Sequence, residues 1–261
     1  MVAQLFSWPS GPENPNLGRS DVHVWSASLD LPESQLKSLQ DTLARDELSR
    51  AGRYLFQKDK DHFIAARGRL REILGRYLNA TPQTLRFCYG PHGKPALAAN
   101  SGKQTLHFNV SHAQGMALYA ITLEREIGID LEKIRPGLMD EKVAECSFSP
   151  RELSQLHNLP ENLQQQAFFT CWTRKEAYLK ARGEGLHVEL DSFDVSVTPG
   201  EPAALLRSSA GPEEVSRWSI YDLDPGAGYV AALAVEGHDM QIKCWQWNES
   251  SNGKIDFSLN H

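Results

Sequence analysis

The stretch W-T-R-K-E-A-Y-L-K-A-R-G-E-G-L, Trp172 to Leu186, is a helix-like segment that ends at two glycines. Trp172, Glu176 and Lys180 are spaced four residues apart, so they share one face of the predicted helix. Such a Glu–Lys pair is either an ordinary surface ion pair or one half of a site that handles a metal ion and phosphate. The other segments of the chain have to decide between these two interpretations.

A second segment, E-I-G-I-D-L-E-K-I from Glu126 to Ile134, predicts a β-strand because apolar and other residues alternate. Its apolar residues point into a core, whereas Gly128, Asp130 and Glu132 share the opposite face. Two carboxylates about 7 Å apart on one strand face repel each other unless a cation or solvent separates them. Hard oxygen ligands of this kind suit Mg²⁺. The alternative is a solvated strand face that carries an acidic pair.

The turn G-P-H-G-K-P, Gly90 to Pro95, superficially resembles a phosphate-binding loop. It is not a Walker A motif, because the spacing is short and Pro95 stands where Ser or Thr would be needed. A Gly-Lys turn can still offer a backbone amide and an ammonium group to phosphate. A plain turn is the alternative.

The segment F-N-V-S-H, Phe108 to His112, places Ser111 beside His112. A nucleophile–base pair is not expected, because neighbouring side chains on an extended chain point apart. Hydrogen bonds from both side chains to a phosphate are chemically reasonable. The alternative is a structural histidine at the end of a strand.

Composition excludes several classes of protein. The 261 residues are 41% hydrophobic and 23% charged, as in a globular protein with a substantial core. A net charge of -6 argues against non-specific nucleic-acid binding. Neither a membrane-spanning run nor a secretory signal is recognisable. The four cysteines form no C-x-x-C pair, which favours free thiols in a reducing cytosol. We therefore expect a cytoplasmic protein without membrane contact.

The charge is unevenly distributed. Between Arg45 and Arg76 the sequence has nine Lys or Arg against five Asp or Glu. This local excess of positive charge predicts a surface for an anionic ligand or partner. A solvated helix face with internal ion pairs is the alternative.

The order of predicted elements in the first part of the chain is repeated in the second. F-I-A-A-R-G-R-L-R-E-I-L, residues 63–74, can be laid over F-F-T-C-W-T-R-K-E-A-Y-L, residues 168–179. We predict an α+β fold made of two similar halves, each an antiparallel sheet packed with helices. The halves are residues 1–125 and 126–236, with a C-terminal tail at residues 237–261. A site at their interface would use residues of both.

The order of the motifs along the chain is more specific than any single motif. The order is G-K-P, F-N-V-S-H, G-I-D-L-E, then W-x-x-K-E-A-x-x-K-x-x-G-x-G-L. In this order the sequence resembles the 4′-phosphopantetheinyl transferases, specifically the larger Sfp-like type, a pseudo-dimer in one chain. The resemblance extends from about Arg45 to Val235. It implies an enzyme that moves the phosphopantetheine arm of coenzyme A onto a serine of an apo acyl or peptidyl carrier protein. Release of 3′,5′-ADP and dependence on Mg²⁺ are further implications.

The resemblance also implies roles for single residues. Asp130, Glu132 and Glu176 would hold the metal ion, and Glu176, or a water that it orients, would take the proton of the serine. Lys180 would steady or protonate the departing phosphate. The residues placed against coenzyme A are Arg67, Gly93, Lys94, Pro95, Asn109, Ser111, His112, Asp130 and Lys180. Arg50 and Arg53 are looser candidates, whereas Thr173 and Arg174 occupy variable positions.

Two other functions remain open at this stage. One is a non-catalytic module that binds coenzyme A or a carrier protein, which would not need Glu176 and Lys180. The other is a Mg²⁺-dependent nucleotide pyrophosphatase, which would need a placed water instead of a protein partner. The expected partners are coenzyme A and a carrier protein of a fatty-acid, polyketide, nonribosomal-peptide or glycolipid synthase, among which the sequence does not choose. The expected state is a monomer.

Overall fold

A computed structural model of the chain describes residues 8–98, 105–135, 141–185 and 188–248. The predictions that concern the extreme N-terminus, Leu186 and the tail beyond Asn248 fall outside these residues. In the described part of the chain, no helix combines the length and the apolar character that crossing a membrane requires.

The first half contains one strand, three helices and four further strands. They are β1 (Asp21–Ser28), α1 (Glu33–Gln40), α2 (Arg45–Ala51), α3 (Gln57–Leu78), β2 (Phe87–Tyr89), β3 (Pro95–Leu97), β4 (Leu106–Ala113) and β5 (Met116–Leu123). A short 3₁₀ turn, Pro82–Thr84, follows α3. The alternating residues from Val22 are typical of the strand β1, and the apolar residues from Phe63 to Leu78 recur at the helical spacing of α3.

The second half repeats this order with one extra helix. Its elements are β6 (Ile127–Lys133), α4 (Glu141–Ser147), α5 (Pro150–Asn158), α6 (Glu161–Arg182), β7 (Phe193–Val195), β8 (Leu205–Ser208), α7 (Pro212–Arg217), β9 (Trp218–Leu223) and β10 (Tyr229–Glu236). Ser149 caps α5 by accepting a hydrogen bond from the Glu152 amide, and the Glu152 side chain accepts one from the Ser149 amide. This reciprocal pair of hydrogen bonds is a capping box, for which Ser at the cap and Glu three residues later are the typical residues.

The two main sheets have the same strand order. In the first half β5 lies between β1 and β4, and in the second half β10 lies between β6 and β9, all in antiparallel pairs. In both halves, therefore, the second strand of a hairpin pairs with the strand that begins the half. The predicted α+β class is confirmed, and the shared order supports the predicted duplication.

Three apolar clusters divide the molecule into layers. The middle cluster joins one face of each sheet, with Val24 and Leu118 from the first and Ile129 and Leu233 from the second. A second cluster lies between the first sheet and α3, and a third between the second sheet and α6. Because strand residues alternate between faces, Ile129 enters the middle layer while Asp130 points toward α6.

One strand crosses from the end of the chain into the first half. The segment from residue 237, expected to be a tail, contains β11 (Gln241–Gln246), which pairs in parallel with β1. The indole rings of Trp245 and Trp247 lie 5.1 and 5.8 Å from that of Trp25. The first sheet thus carries one parallel edge pair, which the sequence did not indicate.

Candidate active site

Strand β6 and helix α6 approach each other closely at Gly128. A Cβ atom on this residue would lie 2.1 Å from the Ala177 carbonyl oxygen and 2.2 Å from the Ala181 amide nitrogen. Only hydrogen fits in that space, so glycine allows the helix to rest on the strand. The contact brings the helix face with Glu176 and Lys180 over the strand face with Asp130.

Asp130 is the centre of the arrangement, with a side chain buried between β4, β6 and α6. Its Oδ1 atom accepts hydrogen bonds from the Ser111 hydroxyl (2.9 Å) and the Lys180 ammonium (2.5 Å). The Lys180 ammonium also donates to Ser111 Oγ at 3.0 Å. Lys180 therefore pairs with a strand carboxylate from another part of the sequence, which goes beyond an ordinary i,i+4 surface pair.

The other oxygen of Asp130 is unusual. Oδ2 is buried and has no hydrogen-bond partner among the described residues. Burying a carboxylate oxygen without a hydrogen-bond donor raises the free energy of the folded state. Such an atom usually binds an ion, a water or a ligand. This oxygen is thus a candidate ligand atom.

Burial and the charge of Asp130 raise the pKa values of two further carboxyl groups, those of Glu176 and Glu132. Burial raises the pKa of Glu176, and the negative charge of Asp130 raises it further. Burial also raises the pKa of Glu132, with additional contributions from Asp130 and Glu176. The three predicted metal ligands therefore interact electrostatically, and a bound cation would relieve their repulsion.

The donor set agrees in chemistry with Mg²⁺, because all three side chains offer hard oxygen atoms and one of these oxygens is buried without a partner. Within the described ranges, however, no three His, Cys, Asp or Glu side chains already converge as a ready-made metal cage. Mg²⁺ characteristically keeps several waters and shares substrate phosphates, so it does not require such a cage. Their assignment as metal ligands stays a prediction.

Strand β4 contributes three of the predicted residues in different ways. The Asn109 side chain accepts a hydrogen bond from the Ile129 amide through Oδ1 (3.0 Å), which ties β4 to β6. Ser111 binds Asp130, as described above. His112 is exposed at the surface. Partial desolvation of its imidazole ring lowers its pKa, and the charges of Lys180 and His62 lower it further. Asn109 thus has a structural role, whereas His112 is available to a ligand.

The turn before β3 comes from the first half and reaches the second. Gly93 has a φ of +82°, a conformation that suits glycine. The Lys94 ammonium donates to Glu126 Oε2 and to the Ala181 carbonyl oxygen, both at 2.9 Å. Gly183 ends α6 in the left-handed conformation, as predicted.

A cleft of about 280 Å³ opens between this turn, β4 and the end of α6. It continues into a second cleft of about 220 Å³, with which it shares Gly93, Pro95 and Val110. The second cleft in turn shares Arg50, Tyr54 and Tyr89 with a third of about 540 Å³. Together they form one long groove that begins at the acidic site.

Arg67 lies on α3 at the second cleft. Its Nε is 3.4 Å from Glu47 Oε1, and its guanidinium lies over the ring of Phe87. Its Nη1 is buried and has no hydrogen-bond partner in the described structure. Arg67 thus retains a donor for an anion in the groove.

Only some of the basic side chains between Arg45 and Arg76 are exposed at the surface. Arg69 and Arg71 are buried, and Arg71 donates to Glu47 and to the carbonyl oxygens of Pro82 and Leu85. The expectation that the whole segment faces a partner is therefore wrong for these residues. Exposed or half-exposed cations remain at Arg45, Arg50, Arg53, Lys58 and Lys60.

Two buried cations on α6, Arg174 and Lys175, were not expected from the sequence. Lys175 and Glu152 are both fully buried and lie 2.7 Å apart. Arg174, placed at a variable position from the sequence, is also fully buried, and its guanidinium pairs with Asp222. The signal for Lys175 was its position one turn after Cys171 and one turn before Leu179, on the apolar side of the helix.

Fold and site together define an α+β protein that gathers carboxylates and a lysine between two halves, at the head of a groove. Comparison with known proteins identifies the family. Residues 25–123 match the model of the 4′-phosphopantetheinyl transferase N-terminal domain, and residues 126–234 match that of the 4′-phosphopantetheinyl transferase superfamily.

Several named proteins are similar along most of the chain. The 4′-phosphopantetheinyl transferase HetI of Nostoc sp. is 43% identical, covering 92% of this chain and 98% of that protein. A putative 4′-phosphopantetheinyl transferase of Synechocystis sp. is 34% identical, covering 76% of this chain and 77% of that protein. The transferase Sfp of Bacillus subtilis is 26% identical, covering 78% and 89%.

This chain belongs to the 4′-phosphopantetheinyl transferase superfamily and is of the Sfp-like type. The family and the enzyme class expected from the motifs are thereby confirmed. The boundary between the two family matches lies at residues 123–126, where the sequence placed the junction of the halves.

Proposed function

We propose that this transferase moves the 4′-phosphopantetheine arm of coenzyme A to a serine hydroxyl of an apo carrier protein and releases 3′,5′-ADP. The observation that carries the proposal is the Asp130–Ser111–Lys180 cluster beside Glu132 and Glu176, open to a groove long enough for an extended ligand. Such a site combines acceptors for a proton with cations for phosphate.

The chemistry is a displacement at phosphorus. The serine oxygen forms a bond to the phosphorus that carries the pantetheine arm, and the bond from that phosphorus to the ADP oxygen breaks. The electron pair leaves with 3′,5′-ADP, and the serine proton goes to a base. Such reactions depend on positioning and on stabilising charge.

Glu176 is proposed as that base, acting directly or through a water. Its carboxylate lines the first cleft together with Lys180, so it offers a proton acceptor on the wall of the proposed site. Lys180, anchored by Asp130, places its ammonium beside the departing phosphate. Asp130, Glu132 and Glu176 would hold Mg²⁺, which when bound supplies positive charge against the pyrophosphate.

The groove is proposed to hold the rest of coenzyme A. Gly93 and Pro95 line its first two clefts, and His112 borders the second. The unpartnered Nη1 of Arg67 offers a donor to an anionic group there. The predicted contact of Asn109 belongs to the same proposal, although its side chain also ties β4 to β6. For Lys94, predicted to bind coenzyme A, direct binding and a bracing role are alternatives, because its ammonium has two protein acceptors.

The carrier protein is proposed to dock beside the groove. The loop between α2 and α3 exposes Leu55 (94%) and Phe56 (71%), and Arg53, Lys58 and Lys60 flank them in the sequence. An apolar spot with a basic rim complements the acidic helix that carriers of this kind usually display beside the modified serine. Because one chain supplies both sides of the site, a monomer suffices, and we expect it in the cytoplasm.

Intact-mass spectrometry tests the proposal. Several purified apo carrier proteins are incubated with the enzyme, coenzyme A and Mg²⁺, and at least one is expected to gain the mass of phosphopantetheine. Release of 3′,5′-ADP from coenzyme A without any carrier would instead favour a pyrophosphatase. Binding of coenzyme A without either product would favour a non-catalytic module.

A further inference from the structure

Lys94 connects the two halves at the mouth of the groove. It belongs to the turn of the first half, but both hydrogen-bond acceptors of its ammonium, Glu126 and the Ala181 carbonyl, lie in the second half. Its side chain also passes 3.2 Å from where a Cβ of Gly183 would lie. The lysine is thus packed against the end of α6.

Glu126 is the carboxylate that holds this lysine. Its Oε2 accepts from Lys94 at 2.9 Å, and its Oε1 lies 3.3 Å from His107 Nδ1 on β4. Hydrogen bonds from His107 and then from Lys94 lower the pKa of Glu126 to about 2. The carboxylate is therefore ionised throughout the physiological range.

The hydrogen bond from Lys94 provides a donor for the Ala181 carbonyl group at the C-terminal end of α6. The last carbonyl groups of a helix lack partners within the helix, and cations near them are favourable. Since Ala181 follows Lys180 directly, whatever fixes this carbonyl also fixes the last turn of α6. The same lysine side chain thereby sets the distance from the turn with Gly93 to the helix end with Lys180.

We infer that Glu126 is a positioning residue that acts through Lys94. It holds the turn of the first half against the end of α6 and so fixes the width of the groove where coenzyme A enters the acidic site. The inference rests on the proposed function for the identity of the ligand. It differs from direct ligand binding by Lys94, because in this arrangement the ammonium serves two protein acceptors.

Substitutions of Glu126 distinguish positioning by Glu126 from direct ligand binding by Lys94, because the two roles predict opposite changes in the affinity for coenzyme A. If Glu126 positions the turn, Glu126→Ala weakens coenzyme A binding roughly fivefold in isothermal titration calorimetry. Glu126→Gln, which keeps a neutral acceptor, weakens it less. If Lys94 instead binds the ligand and Glu126 merely competes for it, Glu126→Ala frees the ammonium and tightens binding. Tighter or unchanged binding would overturn the inference.

The double variant gives a second criterion. Lys94→Met and Glu126→Ala are expected to weaken binding to a similar extent, and the combined variant is expected to be no weaker than either alone. Additive losses would show that the two side chains act separately and would contradict the inference. Glu124→Gln is the matched control, because Glu124 pairs at the surface with Arg19 on the other side of the junction.

Hydrogen exchange without ligand tests the contact independently of the proposed function. Amide hydrogens from Ala181 to Gly185 are expected to exchange faster in Lys94→Met and Glu126→Ala than in the unchanged protein. Equal exchange rates would refute the positioning role. If the unchanged protein fails to bind coenzyme A, the proposed function is at fault, and the exchange result still judges the contact.

Discussion

Each half lays a 22-residue helix over the outer face of its sheet, yet among the described residues only the second half places acidic side chains between helix and sheet. When the central strands β5 and β10 are aligned from their first residues, Ala120 corresponds to Leu233, so their partners Val24 of β1 and Ile129 of β6 correspond as well. His23 then corresponds to Gly128, and Trp25 corresponds to Asp130. The difference shows how one scaffold yields a packed core in one copy and a reactive surface in the other.

The residue at the position of Gly128 sets the spacing between helix and strand. In the second half, glycine lets the α6 backbone touch β6. In the first half, His23 stands there and binds the Tyr77 hydroxyl at 2.9 Å. The remaining space is filled by aromatic rings, with Arg76 stacked over Trp247. Aromatic packing thus occupies the place that carboxylates and Lys180 hold in the other half.

The long helices correspond residue by residue according to their bounds. Arg71 and Lys175 are both the fifteenth residue, and each donates to a buried glutamate in the preceding short helix, Glu47 or Glu152. This correspondence differs by one residue from the overlay drawn from the sequence. In this alignment, Glu72 of α3 corresponds to Glu176 of α6.

The largest expected effect tests whether the second half alone is catalytic. Glu176→Gln should lower the transfer rate by about a thousandfold or more without unfolding the protein, because it removes the base. Glu72→Gln, at the corresponding position, should leave the rate close to normal. Carrier modification followed by mass spectrometry measures both. Comparable losses in the two variants would end the assignment, as would near-normal activity of Glu176→Gln or Asp130→Ala.

The next test breaks the close approach itself. Gly128→Ala forces α6 away from β6, so we expect a loss of about a hundredfold in activity and about 1–3 kcal/mol in the free energy of unfolding. Gly52→Ala is a suitable control, since its Cβ would meet only ordinary contacts at 3.5 Å or more. Normal activity in Gly128→Ala would show that the spacing is not critical.

A third test compares the buried ion pair Lys175–Glu152 of the second half with Arg71–Glu47 of the first by urea denaturation. Lys175→Met should cost about 3–5 kcal/mol, because Glu152 is left buried without its cation. Arg71→Met should cost less, since Glu47 retains the neighbouring guanidinium of Arg67. A larger loss in Arg71→Met would contradict this ranking.

The smallest effect concerns acid stability in the first half. Burial lowers the pKa of His23 to about 4, so below pH 6.5 the unfolded chain takes up a proton that the folded chain refuses. Stability should therefore fall as the pH drops, by about 2 kcal/mol between pH 7 and pH 5 from this residue. His23→Gln should remove that part of the pH dependence in denaturation experiments. An unchanged dependence would exclude His23 as its source.

The sequence predicted those features that local patterns determine. Alternation predicted β6 and the face of Asp130, and the two glycines after Arg182 predicted the end of α6. Burial of charge was harder to predict, since Lys175 and Arg71 look like surface residues until their glutamate partners are known. Strand β11 was missed because its partner lies more than two hundred residues away and Gly237 precedes it as a break. The raised pKa of Glu176 likewise depends on contacts between distant segments.

The pairing of β11 with β1 affects how the protein is made. During synthesis, the outer edge of β1 has no hydrogen-bond partner until residues 241–246 have left the ribosome. The half that is translated first is therefore completed last, and its open edge is available to other chains in the meantime. For this protein, protection of nascent chains should matter most for the amino-terminal half.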